Sequence, residues 1–413
     1  MTRIHRHRFD NGLELLIEPI EHATSCAMSW LVPAGVAHEP PGEQGVAAVL
    51  AEMLHRGAGD RGAREHSDAL DELGVRRSVD PMTLYTGLSA TFLGRRLGDV
   101  LPLLSDMVLR PALEQTAFEP ARQLALQEID SLDDDPQQRA MVELKQAHLG
   151  EPTGRPTMGR AEDVAKLDVD RCRSFWKNRF VPDGSILALA GNVEIDSAQK
   201  TVGRLIEAWS GKQHDTKTDS SGSVARRHLP SPSTQLHIGL AHEAAGQQDP
   251  ASLQEQLAVA VLSGGMSGRL FTEVREARGL CYSVYATYWA MRQRGAVFAY
   301  AGTTAARAAE TLAVMTDQLQ RMAEGVEADE FERARTGLLA RVVMQGESTS
   351  ARAAAIASET ALRGAPRTLD EWSHLIESAR LEQLNRYLAE RGTVSLTQLT
   401  IGPEPVDAVE KPA

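Results

Sequence analysis

Cysteine is scarce in this 413-residue chain: Cys26, Cys172 and Cys281 stand far apart and form no CxxC pair. That excludes a disulfide framework and a cysteine zinc cluster, and the odd count fits a reducing compartment. No window approaches the ~18 uninterrupted apolar residues of a spanning helix, so no membrane span is expected. The start, MTRIHRHRFDNGLELLIEP, has basic residues but no apolar stretch followed by a small-residue cleavage site. The expected compartment is therefore the cytoplasm; a mature form trimmed of an export signal would read the same. Excess base is also absent, with 44 Lys and Arg against 56 Asp and Glu and a net charge of −12. A general phosphate-binding surface needs clustered Lys and Arg, so nucleic acid is not an expected partner. Aromatics make up only 5% of residues while Ala is abundant, which leans toward helix-rich layers. What is present is ordinary for a soluble globular protein: 42% hydrophobic and 24% charged residues. At ~150 residues per domain the length predicts two or three domains.

Hairpins dominate the early strands. Arg6 to Phe9 and Leu13 to Glu18 flank Asp10-Asn11-Gly12, a turn that tolerates positive φ. Ser25 to Val32 reads as a second strand region, and the loop Pro33 to Glu43 delivers the chain to a helix over about 45–54. Apolar spacing at three and four predicts helices near 63–73, 97–109, 117–131, 136–148 and 169–179. Ser185 to Ala190 is a short apolar strand. This is an α+β layer, not a doubly wound parallel sheet.

After the polar stretch GKQHDTKTDSSGSVARRHLPSP the pattern starts again, with a strand at 235–240, a Gly-rich loop and a helix near 250–262. Phe118-Glu119-Pro120-Ala121-Arg122 matches Phe331-Glu332-Arg333-Ala334-Arg335 at an offset of 331 − 118 = 213 residues. The ordered context favours a duplication. The expected division is an N-terminal α+β domain over 1–212, a linker over 213–232, a C-terminal α+β domain over 233–404 and a tail over 405–413.

Isolated motifs say little about chemistry. The N-terminal half has no GxSxG, P-loop, GxGxxG, HxxEH or HExxH. Its early histidines at 5, 7, 22, 38, 55 and 66 have no partner at i+4, so a helix-borne zinc pair is absent there. His55 reads as a surface or capping histidine, and Asp133-Asp134-Asp135 before Pro136 as a cap on the next helix.

Six blocks together carry more: FDNGLELLIEP, PAGVAHEPPGEQGVAAVLAEMLHRG, LPLLSDMVLRP, FEPARQLALQEI, FWKNRFVPDGSILALAGNV and LSGGMSGRLFTEVREARGLCYSV. In this order they resemble the pitrilysin/insulinase-like metallopeptidases, the inverzincin family with HxxEH. The likeness is to short two-domain chains such as mitochondrial processing peptidase subunits and their bacterial relatives. It implies two homologous α/β-sandwich domains, each an antiparallel-rich sheet covered by helices, forming half of a clamshell chamber.

The zinc motif is missing. Aligned on Gly45 and Glu52-Met53-Leu54, the family's two histidine positions are Ala48 and Glu52, and its general-base glutamate position is Ala51. The third-ligand position falls on Glu128, 128 − 52 = 76 residues on. A catalytic zinc normally needs three protein ligands and an open position, so no metal is expected in this chain. With Ala51 no group is left to take the water's proton. The resemblance further implies that Arg275 and Tyr282, 282 − 275 = 7 residues apart in VREARGLCYSV, match the family's Arg and Tyr facing the zinc. From the local residues alone, Arg275 reads as a solvated helix charge and Tyr282 as a strand residue packing on the sheet; the resemblance reverses that reading. Gly264 and Gly265 lie in a glycine-rich loop that, in the processing-peptidase alpha chains, is thought to touch substrate.

The expectation is a non-zinc subunit of a heterodimeric metallopeptidase. Its partner is a homologous HxxEH-bearing chain holding the zinc, and its substrate a short or unfolded peptide. The alternatives are a structural subunit, like the core proteins of the respiratory cytochrome complex, and a peptide-binding module that does not cleave.

Overall fold

The computed structural model describes residues 3–213 and 225–406. Contacts divide these into two units, each discontinuous in sequence. The first holds the described residues up to Ser131, Glu151 to 213 and Met344–Asp370; the second holds Leu132–Gly150, 225 to Val343 and Glu371 to 406. No helix among the described residues is long and apolar enough to cross a membrane.

The first unit is built on a six-stranded sheet in the order His5–Arg8, Glu14–Pro19, Ile186–Gly191, Ser25–Val32, Thr86–Leu93, Arg76–Pro81. Its opening hairpin turns at Gly12, which has φ +99°, and Phe9 N donates to Leu13 O at 2.9 Å. Glu14–Pro19 runs parallel to Ile186–Gly191, and every other neighbour is antiparallel. Ser25–Val32 is almost wholly buried, with Trp30 opposite Leu88 on one side and Leu187 on the other. On one face lie the helices Val46–Leu54, Leu97–Leu109, Gln115–Ser131 and Val169–Arg179, whose apolar stripes make the unit's main core.

The second unit repeats the plan. Its sheet runs Cys281–Ala290, Arg294–Thr304, Gln235–Ala245, Thr397–Gly402, Arg226–Pro230. Read in reverse, this matches the last five strands of the first sheet, including the parallel pair, here Arg226–Pro230 with Thr397–Gly402. The helices Gln115–Ser131 and Ala328–Gly346 start 328 − 115 = 213 residues apart, and Pro136–Leu149 and Thr349–Arg363 start 349 − 136 = 213 apart. The α+β reading with antiparallel pairing in the majority therefore holds in both units, and the offset read in the sequence recurs in the fold. Of the stretch expected as a linker, 214–224 lie outside the described residues, and Arg226–Pro230 forms the parallel edge strand. Of the expected tail, 407–413 lie outside them.

Each half of the chain lends one helix to the other unit. Thr349–Arg363, capped by Ser348 and ended at Gly364 with φ +89°, lies on the second face of the first sheet. It presents Ala353, Ala357 and Ala361 at every fourth position, a flat strip that meets Ala27, Ala188 and Ala190. Beside the strip, Arg352 and Glu18 are both almost fully buried and pair through two hydrogen bonds, at 2.9 and 3.1 Å. In return, Pro136–Leu149 covers the second sheet, with Ala140 and Leu144 in one core with Ala241, Phe298 and Leu399. Asp135 caps it, accepting from Gln138 N at 3.0 Å, so one of the three aspartates does serve as the helix cap. Gly239 makes room beneath: a Cβ there would lie 3.0 Å from Leu144 Cδ2.

Candidate functional site

The helix Val46–Leu54 carries the positions expected for the missing metal motif. It begins at Gly45, whose φ of +111° only glycine adopts freely, and a Cβ there would lie 2.4 Å from Val164 Cγ2. Its first turn is capped by a buried carboxyl: Glu39 Oε1 accepts from Gly45 N and Ala47 N, each at 3.0 Å. Burial pushes the Glu39 carboxyl up to about 8, against the opposing pull of those two hydrogen bonds.

Ala48 and Ala51 are buried methyl groups within this core. Glu52 is the one half-buried residue of the helix and pairs loosely with Arg56 at 4.0 Å. Glu128, on the packed helix Gln115–Ser131, is exposed. Its carboxyl is raised above the usual range by partial burial first, then by the carboxylates of Glu52 and Asp80. His55 closes the helix as its C-cap, half-buried, and is lowered to about 4 by burial and then by Arg77. Two methyls and a few mutually repelling carboxylates do not fit a zinc ion, which takes three protein ligands in a tetrahedral set. Among the described residues no group of three or more His, Cys, Asp and Glu is placed to hold a metal. Sequence reading missed Asp80, because its nearness to Glu128 and His55 depends on how the Arg76–Pro81 strand sits against the helices.

Arg275 and Tyr282 are brought together in the second unit. Phe271–Glu276 is a π-helical turn, followed by Gly279 at φ +59° and the edge strand Cys281–Ala290. The chain doubles back there: Gly279 N donates to Arg275 O at 3.0 Å and Leu280 N to Val274 O at 2.9 Å. The strand register shifts between Cys281 and Ser283, so Tyr282 sits at a bulge. Its side chain is 88% exposed, the most exposed large side chain of the described apolar and aromatic set. The guanidinium of Arg275 lies 5.6 Å from the Tyr282 ring centre and 4.9 Å from that of Phe271. Arg275 itself is exposed. A guanidinium and a phenol side by side, both open to solvent, form a pair of hydrogen-bond donors suited to an anionic oxygen.

The glycine-rich loop follows the helix Ser252–Ser263. At Gly264 a Cβ would lie 2.3 Å from Ala260 O, so no side chain fits there, and Gly265 holds φ +127°. Gly264 helps line a cavity of about 50 Å³, together with Ala260, Ser267, Gly337 and Leu338. Neither Gly265 nor the Arg275–Tyr282 pair belongs to its walls.

Comparison with known proteins settles the ancestry. Residues 15–161 match the family model described as insulinase (peptidase family M16), and residues 166–338 the model described as the peptidase M16 inactive domain. The chain belongs to the M16 (insulinase, pitrilysin-like) peptidase family. An uncharacterized zinc protease of Bacillus subtilis is 25% identical to this M16 chain over 410 residues, covering 97% of this chain and 98% of the relative. A structure described as a peptidase M16 inactive domain from Pseudomonas fluorescens superposes with a TM-score of 0.88 at 18% identity, covering 99% and 100% of the two chains. A chain of Complex III2 from Candida albicans superposes with a TM-score of 0.83 at 15% identity, covering 97% and 96%. These likenesses show the M16 fold. The words zinc protease belong to the relative; at the positions expected for the zinc motif this M16 chain has Ala48, Ala51 and Glu52.

Proposed function

We propose that this M16 chain is the zinc-free subunit of a heteromeric metallopeptidase that degrades or processes short peptides. The metal chemistry belongs to a homologous HxxEH-bearing partner. This chain's part is to donate hydrogen bonds, from the Arg275 guanidinium and the Tyr282 hydroxyl, to the oxyanion formed when water adds to the scissile carbonyl. The observation that carries the reading is the contrast between the two sites. Of the motif positions, Ala48 and Ala51 are buried methyl groups and only the carboxylates of Glu52 and Glu128 remain, while Arg275 and Tyr282 lie together and face solvent.

The sheet edge under Tyr282 favours a partner as well. Cys281–Ala290 is an edge strand of ten residues without a single charge. The corresponding edge of the first sheet, Arg76–Pro81, carries Arg76, Arg77 and Asp80 and ends in proline. Natural monomers blunt their edges in the second way; a long uncharged edge is a surface that calls for a covering chain. Gly264 and Gly265 are the proposed peptide contact, since a loop without side chains at those positions offers its backbone groups to an extended peptide. A purely structural subunit, or a module that only holds peptides, gives no reason for an exposed Arg–Tyr pair. The test is metal content: the purified chain should carry no stoichiometric zinc by elemental analysis, and one tightly bound zinc per chain would overturn the reading.

A further inference from the structure

We propose that Phe271 and Arg278 are positioning residues that keep the Arg275 guanidinium oriented and free of carboxylates. This rests on the reading of Arg275 and Tyr282 as oxyanion donors. The π-helical turn, closed by Ala277 N donating to Thr272 O at 2.8 Å, brings the Phe271 ring against the guanidinium. With Tyr282 on its other contact, Arg275 lies against two aromatic rings. Stacking of this kind fixes the plane of a guanidinium while leaving its N–H groups free, so orientation is gained without using up a donor.

Charge is the second half of the argument. Arg275 has Glu273 and Glu276 beside it in sequence, and a carboxylate paired with it would occupy the donors an oxyanion needs. Glu273 is held elsewhere. Arg278 Nη1 donates to its carboxylate at 2.5 Å and to its carbonyl oxygen at 2.7 Å. The neighbouring cations are also committed: Arg269 forks onto Glu330 with two bonds of 2.6 Å, and Arg307 donates to Gly279 O. The Arg275 side chain makes no hydrogen bond and no ion pair among the described residues; it lies against the two rings, with the Cys281 thiol nearby. Arg278 thus acts as a decoy cation for Glu273, one of the two carboxylates beside Arg275 in sequence.

The experiment uses the full chain mixed with a homologous HxxEH-bearing chain from the same organism and a fluorogenic peptide. Arg278→Ala should lower kcat about tenfold with KM within about twofold, and adding Glu273→Gln should restore it, because the freed carboxylate is then neutral. Phe271→Leu should lower kcat by about 10- to 100-fold and Phe271→Trp should recover most of it. On the isolated chain, the Arg275 Nε–H proton should show an upfield ring-current shift in NMR spectra that Phe271→Leu reduces. Arg275→Ala is run alongside. If it abolishes turnover while Arg278→Ala and Phe271→Leu change nothing, positioning is wrong and the donor pair stands. Equal turnover of Arg278→Ala with and without Glu273→Gln overturns the decoy role. An unshifted Nε–H proton in the wild-type chain overturns the stacking. If Arg275→Ala itself leaves turnover unchanged, the donor reading falls and this inference falls with it.

Discussion

Replacing Arg275 with Ala, or Tyr282 with Phe, should cut turnover by the reconstituted pair of chains about 10²–10³-fold, while folding stability stays within about 0.5 kcal/mol of wild type. The two halves of that expectation come from the same geometry. Tyr282 is 88% exposed and Arg275 is held only by aromatic contacts, so neither supports the core. Truncating such surface residues normally leaves folding almost untouched. Removing a donor aimed at developing negative charge, by contrast, acts on the transition state alone, so kcat should fall and KM should hold. Steady-state kinetics and urea denaturation of the same variants check both halves. Turnover unchanged in both variants would remove these residues from the chemistry.

The second large effect lies at the exchanged helix. Arg352→Ala should destabilise the chain by about 3–5 kcal/mol, because it leaves Glu18 charged, unpaired and buried. Glu18 is 0% and Arg352 2% exposed, and each is the other's hydrogen-bonding partner. An apolar double replacement, Glu18→Leu with Arg352→Met, should recover much of the loss, since both desolvation costs vanish together. We take the pair's role to be specificity: it sets where Thr349–Arg363 rests on a strip of alanines that would tolerate sliding. Chemical denaturation of the three variants checks this. A loss below about 1 kcal/mol for Arg352→Ala would mean the pair is dispensable.

Much of the fold was legible in the sequence. The helices at Leu97–Leu109 and Val169–Arg179 and the strand Ser25–Val32 fall where their apolar spacing puts them. So does the turn at Gly12. The exchange of helices was not legible. The spacing of Ala353, Ala357 and Ala361 says that one face is buried, but not which sheet it meets. The Glu18–Arg352 pair spans 334 positions, and nothing local marks either residue. Arg226–Pro230 was hidden because RRHLP lies in a polar stretch and pairs at a sheet edge, where alternation of apolar residues is not required. At the candidate site, the assignment of Ala48, Ala51 and Glu52 to the motif rests on the blocks around them, while the closeness of Arg275 and Tyr282 was readable from their seven-residue spacing. Phe271 and Arg278 were not, because their meaning comes from a π-helical turn and from which carboxylate each cation reaches.

The account's central claim is that this chain holds half of an active site and no metal of its own. It is tested most directly by peptide turnover measured for this chain alone, for the HxxEH-bearing chain alone and for the two mixed. Turnover should be absent from this chain, low or absent from its partner, and rise to a plateau at one-to-one mixing. Turnover by this chain alone, or a mixture no faster than the partner by itself, would contradict the account.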